Sequence, residues 1–314
     1  MTQEMKLPEL PVNSTTTAIR AEPILISAND SIETAASRIF DVALDHFIAN
    51  RAVFAQMETA ESVHQMRVAL RRMRAAFGLF RPALAGTALT RAAARAKTIA
   101  SALGATRDSD VFLDLLATGP GATENAPDLA ILQEAARRRR EAGYSTAREI
   151  LGESATRFFI DDMRRCIAAK DWIAAPGADE SGSARDYARS ALDRLHKRAG
   201  RKSRDLAIQT PLERHEARIA LKKLRYAAEF FESLFGRQKA IRAYIHILVA
   251  LQDGLGGFND LAAANRQLDL LHASDGSLAH AAGFVSGWFA YAACASIKHA
   301  HDSEKKLKSL KPFW

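Results

Sequence analysis

Apolar residues in this chain return at the three- and four-residue spacing of an amphipathic helix. Val63, Met66, Leu70, Met73, Phe77 and Phe80 form one such face, which must enter a core. Read with caps and breakers, the same period predicts a succession of helices. The first starts at an Asp30-x-x-Glu33 capping box and runs to about Asn50. The next spans Glu61–Phe80 and stops before Pro82. Leu89–Leu103 and Asp108–Ala117 flank a Leu-Gly turn, and Gly119-Pro120-Gly121 opens a loop to Pro127. A long helix through Arg137–Arg140 follows, then Ser154–Lys170. Further on come Ala184–Ala199, Leu212–Phe235, Arg237–Leu251, Asn259–His272 and Leu278–Leu307. Thr210-Pro211-Leu212-Glu213 is a helix start, with Pro at the first helical position and Glu two places later. β-branched residues never alternate with period two, so no strand is predicted and the fold class is all-α.

The segment Ala174–Ser183 (AAPGADESGS) has linker composition and divides the chain. Residues 30–173 make a first helical half and residues 184–314 a second, each of domain size. Residues 1–29 carry Pro and Thr without a helical period and read as an extended, partly disordered lead.

The polar positions hold the chemistry. The eleven residues His64–Arg74 (HQMRVALRRMR) recur at His215–Arg225 (HEARIALKKLR), 151 residues later (215 − 64), with five positions identical. Four more differ only as Arg/Lys, Val/Ile or Met/Leu, so one structural unit is duplicated. Wound at ~100° per residue, the first copy aligns His64, Arg67, Arg71 and Arg74. The second aligns His215, Arg218, Lys222 and Arg225. Arg72 and Lys223 lie about 100° off these stripes. Each row of heads is ~15 Å long, and like charges at this spacing repel by a few tenths of a kcal/mol per pair. A sequence that tolerates this twice has a compensating anion. A linear phosphate chain supplies one, with charge on every unit and no base to read. Arginine donates bidentate hydrogen bonds to phosphate oxygens, lysine acts as a point charge, and histidine donates best as imidazolium.

A second signature is also repeated. Leu103-Gly104-Ala105-Thr106-Arg107-Asp108, followed by Asp110, has its counterpart in Leu255-Gly256-Gly257-Phe258-Asn259-Asp260. These four motif instances, spread over about Ser31 to Lys308, resemble the CHAD family, the conserved-histidine alpha-helical domain. The resemblance implies two pseudo-symmetric antiparallel helical bundles facing a central basic groove or pore, with inorganic polyphosphate as ligand and no established catalysis. It also implies a place at polyphosphate granules, with granule-associated proteins as partners, while the isolated cysteines and a lead without signal-peptide character point to a reducing cytoplasm. The ligand contacts expected are His64, Arg67, Arg71, Arg72, Arg74, His215, Arg218, Lys222, Lys223 and Arg225. Arg107, Asp108, Asp110 and Asp260 are given supporting roles, the acids as N-caps or as partners that orient the basic stripe. The resemblance places further basic residues of the Arg185–Arg198 segment near the channel. The alternating Glu-x-Glu-x-Lys strand of the triphosphatase domain that often precedes the helical part is missing, so that activity is not expected.

The net charge of +8 is modest, so the clustering of cations matters more than their number. Cys166 and Cys294 stand alone, without disulfide or metal spacing. Glu61-x-x-His64 matches an element of di-iron bundles, but the second copy lacks it and arginines occupy the facing stripe. His299-x-His301 sits in a Lys-rich tail and reads as solvated. No metal, cofactor or active site is expected. Leu278–Ile297 is nearly uncharged, yet its Ala, Gly and Ser content fits a buried bundle helix better than a membrane anchor. Two other functions compete for the same cations. A nucleic-acid binder would interleave stacking aromatics, whereas Phe77, Phe80, Phe230 and Phe231 fall on core faces. A metal-dependent polyphosphate hydrolase would need carboxylates, for which Asp108, Asp110 and Asp260 are the convenient candidates.

Overall fold

Four helices begin at a hydroxyl side chain that accepts a hydrogen bond from an otherwise unsatisfied backbone N–H. In the computed structural model Ser31 caps α1 (Ile32–Gln56) by accepting from Thr34 N, and Thr59 caps α2 (Ala60–Phe80) by accepting from Ser62 N. Ser183 does the same for α6 (Ala184–Lys202), and Thr210 for α7 (Pro211–Phe231). The helix start read at Thr210–Glu213 is a full capping box, with Glu213 reaching back to the Thr210 N–H and Pro211 in the first turn. At α1 the cap is Ser31 rather than Asp30, whose carboxylate instead accepts from Ser27 N at 2.9 Å. The structure describes residues 17–122, 129–170, 173–174, 182–206, 208–272, 276–292, 305 and 311–314.

The remaining elements are α3 (Thr87–Thr118), α4 (Ala130–Gly152), α5 (Ser154–Ala169), α8 (Gln238–Gly254) and α9 (Gly256–His272), followed by helical residues 279–292. Two further expectations are corrected. The first is the Leu-Gly turn, because α3 runs unbroken through Leu103 and Gly104. Asp108 and Asp110 are therefore mid-helix residues and not N-caps. In the second half the chain does break there, between α8 and α9 at Leu255. The second is the absence of strands, since Leu84–Ala85 pairs antiparallel with Ile173–Ala174. This two-residue ladder is too short to show a period in sequence. Most of the linker, together with Cys294, His299 and His301, lies outside the described residues.

The cores do not follow the halves. The larger one unites α1, α2, α5 and the first part of α3 with α6, α7 and α8. At its centre Phe80 meets Phe231 edge-on with ring centroids 6.2 Å apart, and stacks on Tyr187 at 5.6 Å. The smaller one joins Phe112 and Leu116 of α3 and Leu132 of α4 to Leu268 of α9 and to Val285 and Phe289. Each half thus completes its core with helices of the other. Residues 17–29 form no helix, turn at 28–29 and are fastened. Ile24 and Ile26 are buried in the larger core, and the Ile26 N–H donates to Ser233 Oγ at 2.9 Å. Among the described residues no helix is long and apolar enough to cross a membrane.

Candidate functional site

Helices α2 and α7 have the same length, and both their starts and their ends are 151 residues apart (211 − 60 and 231 − 80). The apolar faces of both are locked into the larger core, with Val63, Met66, Leu70 and Met73 on one and Ala217, Leu221 and Leu224 on the other. This leaves each basic stripe turned away from its own core side. The structure brings His64, Arg67, Arg71 and Arg218 together around a cavity of about 220 Å³. Arg107 and Asp108 from α3 complete its polar wall, and Val111, Phe112 and Leu115 its apolar one. Among the described lining residues Asp108 carries the one negative charge.

The setting of these cations is electrostatically unfavourable. Burial pushes the Lys222 ammonium down to about 8, and Arg218, Arg71, Arg225 and Arg67 push in the same direction. His64 is also held below its ordinary value, first by burial and then by Arg107, against a weaker opposing pull from Glu61. Arg67 is depressed by burial, which Asp108 partly offsets. Its Nη1 donates to the Ala100 carbonyl at 3.2 Å. The Nε of Arg71 is buried without a hydrogen-bond partner. Gly104 explains why α3 can come so close, because a Cβ built on it would lie 2.6 Å from Arg67 Nη1. In the first half the Leu-Gly signature thus marks a close approach and not a turn, whereas in the second it coincides with the break between α8 and α9.

Other expected contacts lie elsewhere. Arg74 and Lys223 line a second pocket of about 180 Å³ with Arg194 and Arg198 of α6, over a floor that includes Leu79, Tyr226 and Phe230. Arg72 turns into the α2–α7 contact, 3.8 Å from Glu229 and 5.5 Å from the centre of the Phe230 ring. Arg225 donates to the same Glu229 at 2.8 Å and to Gln252 Oε1 at 3.1 Å. His215 is exposed and lines neither pocket. Asp110 is buried and accepts from Arg140 Nε at 2.6 Å and from the Tyr144 hydroxyl at 3.1 Å, which ties α3 to α4. The Asp260 side chain lies outside what is described. Among the described residues no three His, Cys, Asp or Glu side chains are grouped to hold a metal ion. Sequence reasoning missed Glu229, although its place four residues after Arg225 on a helix was a usable signal.

The CHAD domain family model matches residues 38–269. The crystal structure of the CHAD domain from the plant Ricinus communis superposes with a TM-score of 0.81 at 28% identity, over 94% of this chain and 98% of that one. PptA from Streptomyces chartreusis shares the fold with a TM-score of 0.63 at 16% identity, over 89% of this chain and 99% of that one. No curated protein matches the sequence.

Proposed function

Because the chain belongs to the CHAD family, we propose that it binds inorganic polyphosphate between its two basic helices, without turnover. The observation that carries this reading is the convergence of His64, Arg67 and Arg71 of α2 with Arg218 of α7 and Arg107 of α3 around one cavity. Burial together with neighbouring arginines of α2 and α7 pushes the Lys222 ammonium down to about 8. A dense anion offsets the mutual repulsion of such a cluster and raises the proton affinity of Lys222 and His64. Arg67, Arg71, Arg218, Lys222 and His64 bind the chain directly, and Arg107 adds to the field. Asp108 restrains Arg67, and Asp110 holds α3 against α4 through Arg140. The cavity offers no stacking platform for a base, since Phe112 is 2% exposed. Attachment to polyphosphate granules, as a scaffold for other proteins there, is the role such a binder serves.

The test is competition under one salt condition among long-chain polyphosphate, single-stranded DNA and ATP. Polyphosphate should bind tightest, with an affinity that falls steeply as salt rises. Equal or tighter binding of DNA would overturn the assignment. Shortening of the chains on addition of magnesium would show turnover instead of simple binding.

A further inference from the structure

The shared register of α2 and α7 shows a difference between them near their C-terminal ends. Arg74 and Arg225 occupy matching positions, and so do Arg72 and Lys223. The structure pairs these residues across the two helices. Arg74 shares a pocket with Lys223, while Arg72 and Arg225 meet at Glu229. The two meeting places are treated differently. Glu229 lies 3.8 Å from Arg72 and 2.8 Å from Arg225, and all three side chains are 13–23% exposed. The position that matches Glu229 in the first copy is Gly78, which has no side chain. There the charge grows instead, because Arg194 and Arg198 of α6 join Arg74 and Lys223. A Cβ added to Gly78 would meet nothing within 4 Å.

We propose that Glu229 is a resident counter-anion, its carboxylate standing where a ligand phosphate would otherwise sit between Arg72 and Arg225. The polyanion is thereby directed to one side of the helix pair, the side of Arg74 and Lys223. This rests on the polyanion reading above and gives it a direction. A carboxylate tethered four residues from Arg225 outcompetes a diffusible phosphate for the same two guanidinium groups. Among the described residues no carboxylate lines the pocket that the cations facing Gly78 share.

The test moves the carboxylate. Gly78→Glu supplies the missing acid, and Gly78→Gln supplies the same length without charge. Polyphosphate affinity should fall at least about tenfold in the first relative to the second, as expected for losing one or two charge-assisted phosphate contacts. Glu229→Gln should bind polyphosphate several-fold more tightly, with a steeper salt dependence because more cations engage. Its thermal midpoint should also rise with inorganic sulfate more than that of the unaltered protein. Equal binding by Gly78→Glu and Gly78→Gln overturns the proposal, as does a folded Glu229→Gln that gains neither affinity nor sulfate response. If Glu229→Gln does not fold, the Gly78 pair decides. If the unaltered protein binds no polyphosphate, the functional reading falls, and the sulfate response of Glu229→Gln still decides the role of the carboxylate.

Discussion

Replacing Lys222 by Met tests the strain in the cation cluster without any ligand. An ammonium lowered from its ordinary 10.5 to about 8 destabilises the folded state wherever it stays charged. At ~1.4 kcal/mol per pH unit the penalty is about 3 kcal/mol, and partial exposure of the side chain trims it to ~2–3 kcal/mol. The sign follows from proton counting. Between pH 8 and 10.5 the unfolded chain holds the Lys222 proton while the folded protein releases it, so this group makes the protein more stable as pH rises. Below that window the penalty is fully present. Lys222→Met removes it, so the variant should exceed the unaltered protein in stability near pH 7 and lose that advantage towards pH 10. Urea unfolding of both proteins at several pH values gives the difference, in which every other titrating group cancels. Packing of the Met side chain adds only a constant. A difference that stays flat from pH 7 to 10 would refute the account of the cluster.

Two further outcomes follow from the site geometry. Bound polyanion favours protonated His64, whose proton affinity burial and Arg107 hold low, so binding should strengthen from pH 8 to pH 6. His64→Gln should flatten that dependence, whereas His215→Gln, at an exposed position, should leave it intact in a fluorescence titration. Gly104→Ala places a methyl 2.6 Å from Arg67 Nη1, the movable end of a long side chain, so the fold should survive with little change in stability while Arg67 is displaced from the cavity. Polyphosphate binding should therefore weaken, and unchanged affinity would contradict the close-approach role of this glycine.

The parts of this protein legible in its sequence are those fixed within one helix. The apolar face of α2, the basic stripes and the Thr210–Glu213 capping box all depend on residues less than two dozen positions apart. What sequence left open depends on distant partners. Gly104 reads as a turn because glycine breaks helices locally, yet its neighbour across space is Arg67, and α3 runs straight past. Arg74 continues the stripe of Arg67 and Arg71, but α6 supplies Arg194 and Arg198 at that end, so one stripe serves two pockets. Arg72 and Lys223 are equivalent by register, and a single acid, Glu229, separates their fates. The duplicated motif invites a symmetric division at residues 174–183, yet both cores recruit helices from either side of it.

The arrangement also shows how a chain can keep so many cations together. Each basic helix is anchored by an opposite face that is nearly solvent-free, with Met66, Leu70 and Met73 in α2 and Leu221 and Leu224 in α7 all at 0% exposure. Burying one such side chain stabilises by ~1.5–3 kcal/mol, so a few of them outweigh the ~2–3 kcal/mol penalty at Lys222. The local conflict between like charges therefore persists because packing holds the helices in place. Conflict of this kind, tolerated by a well-made core, is expected where a protein keeps a place for something it does not itself contain.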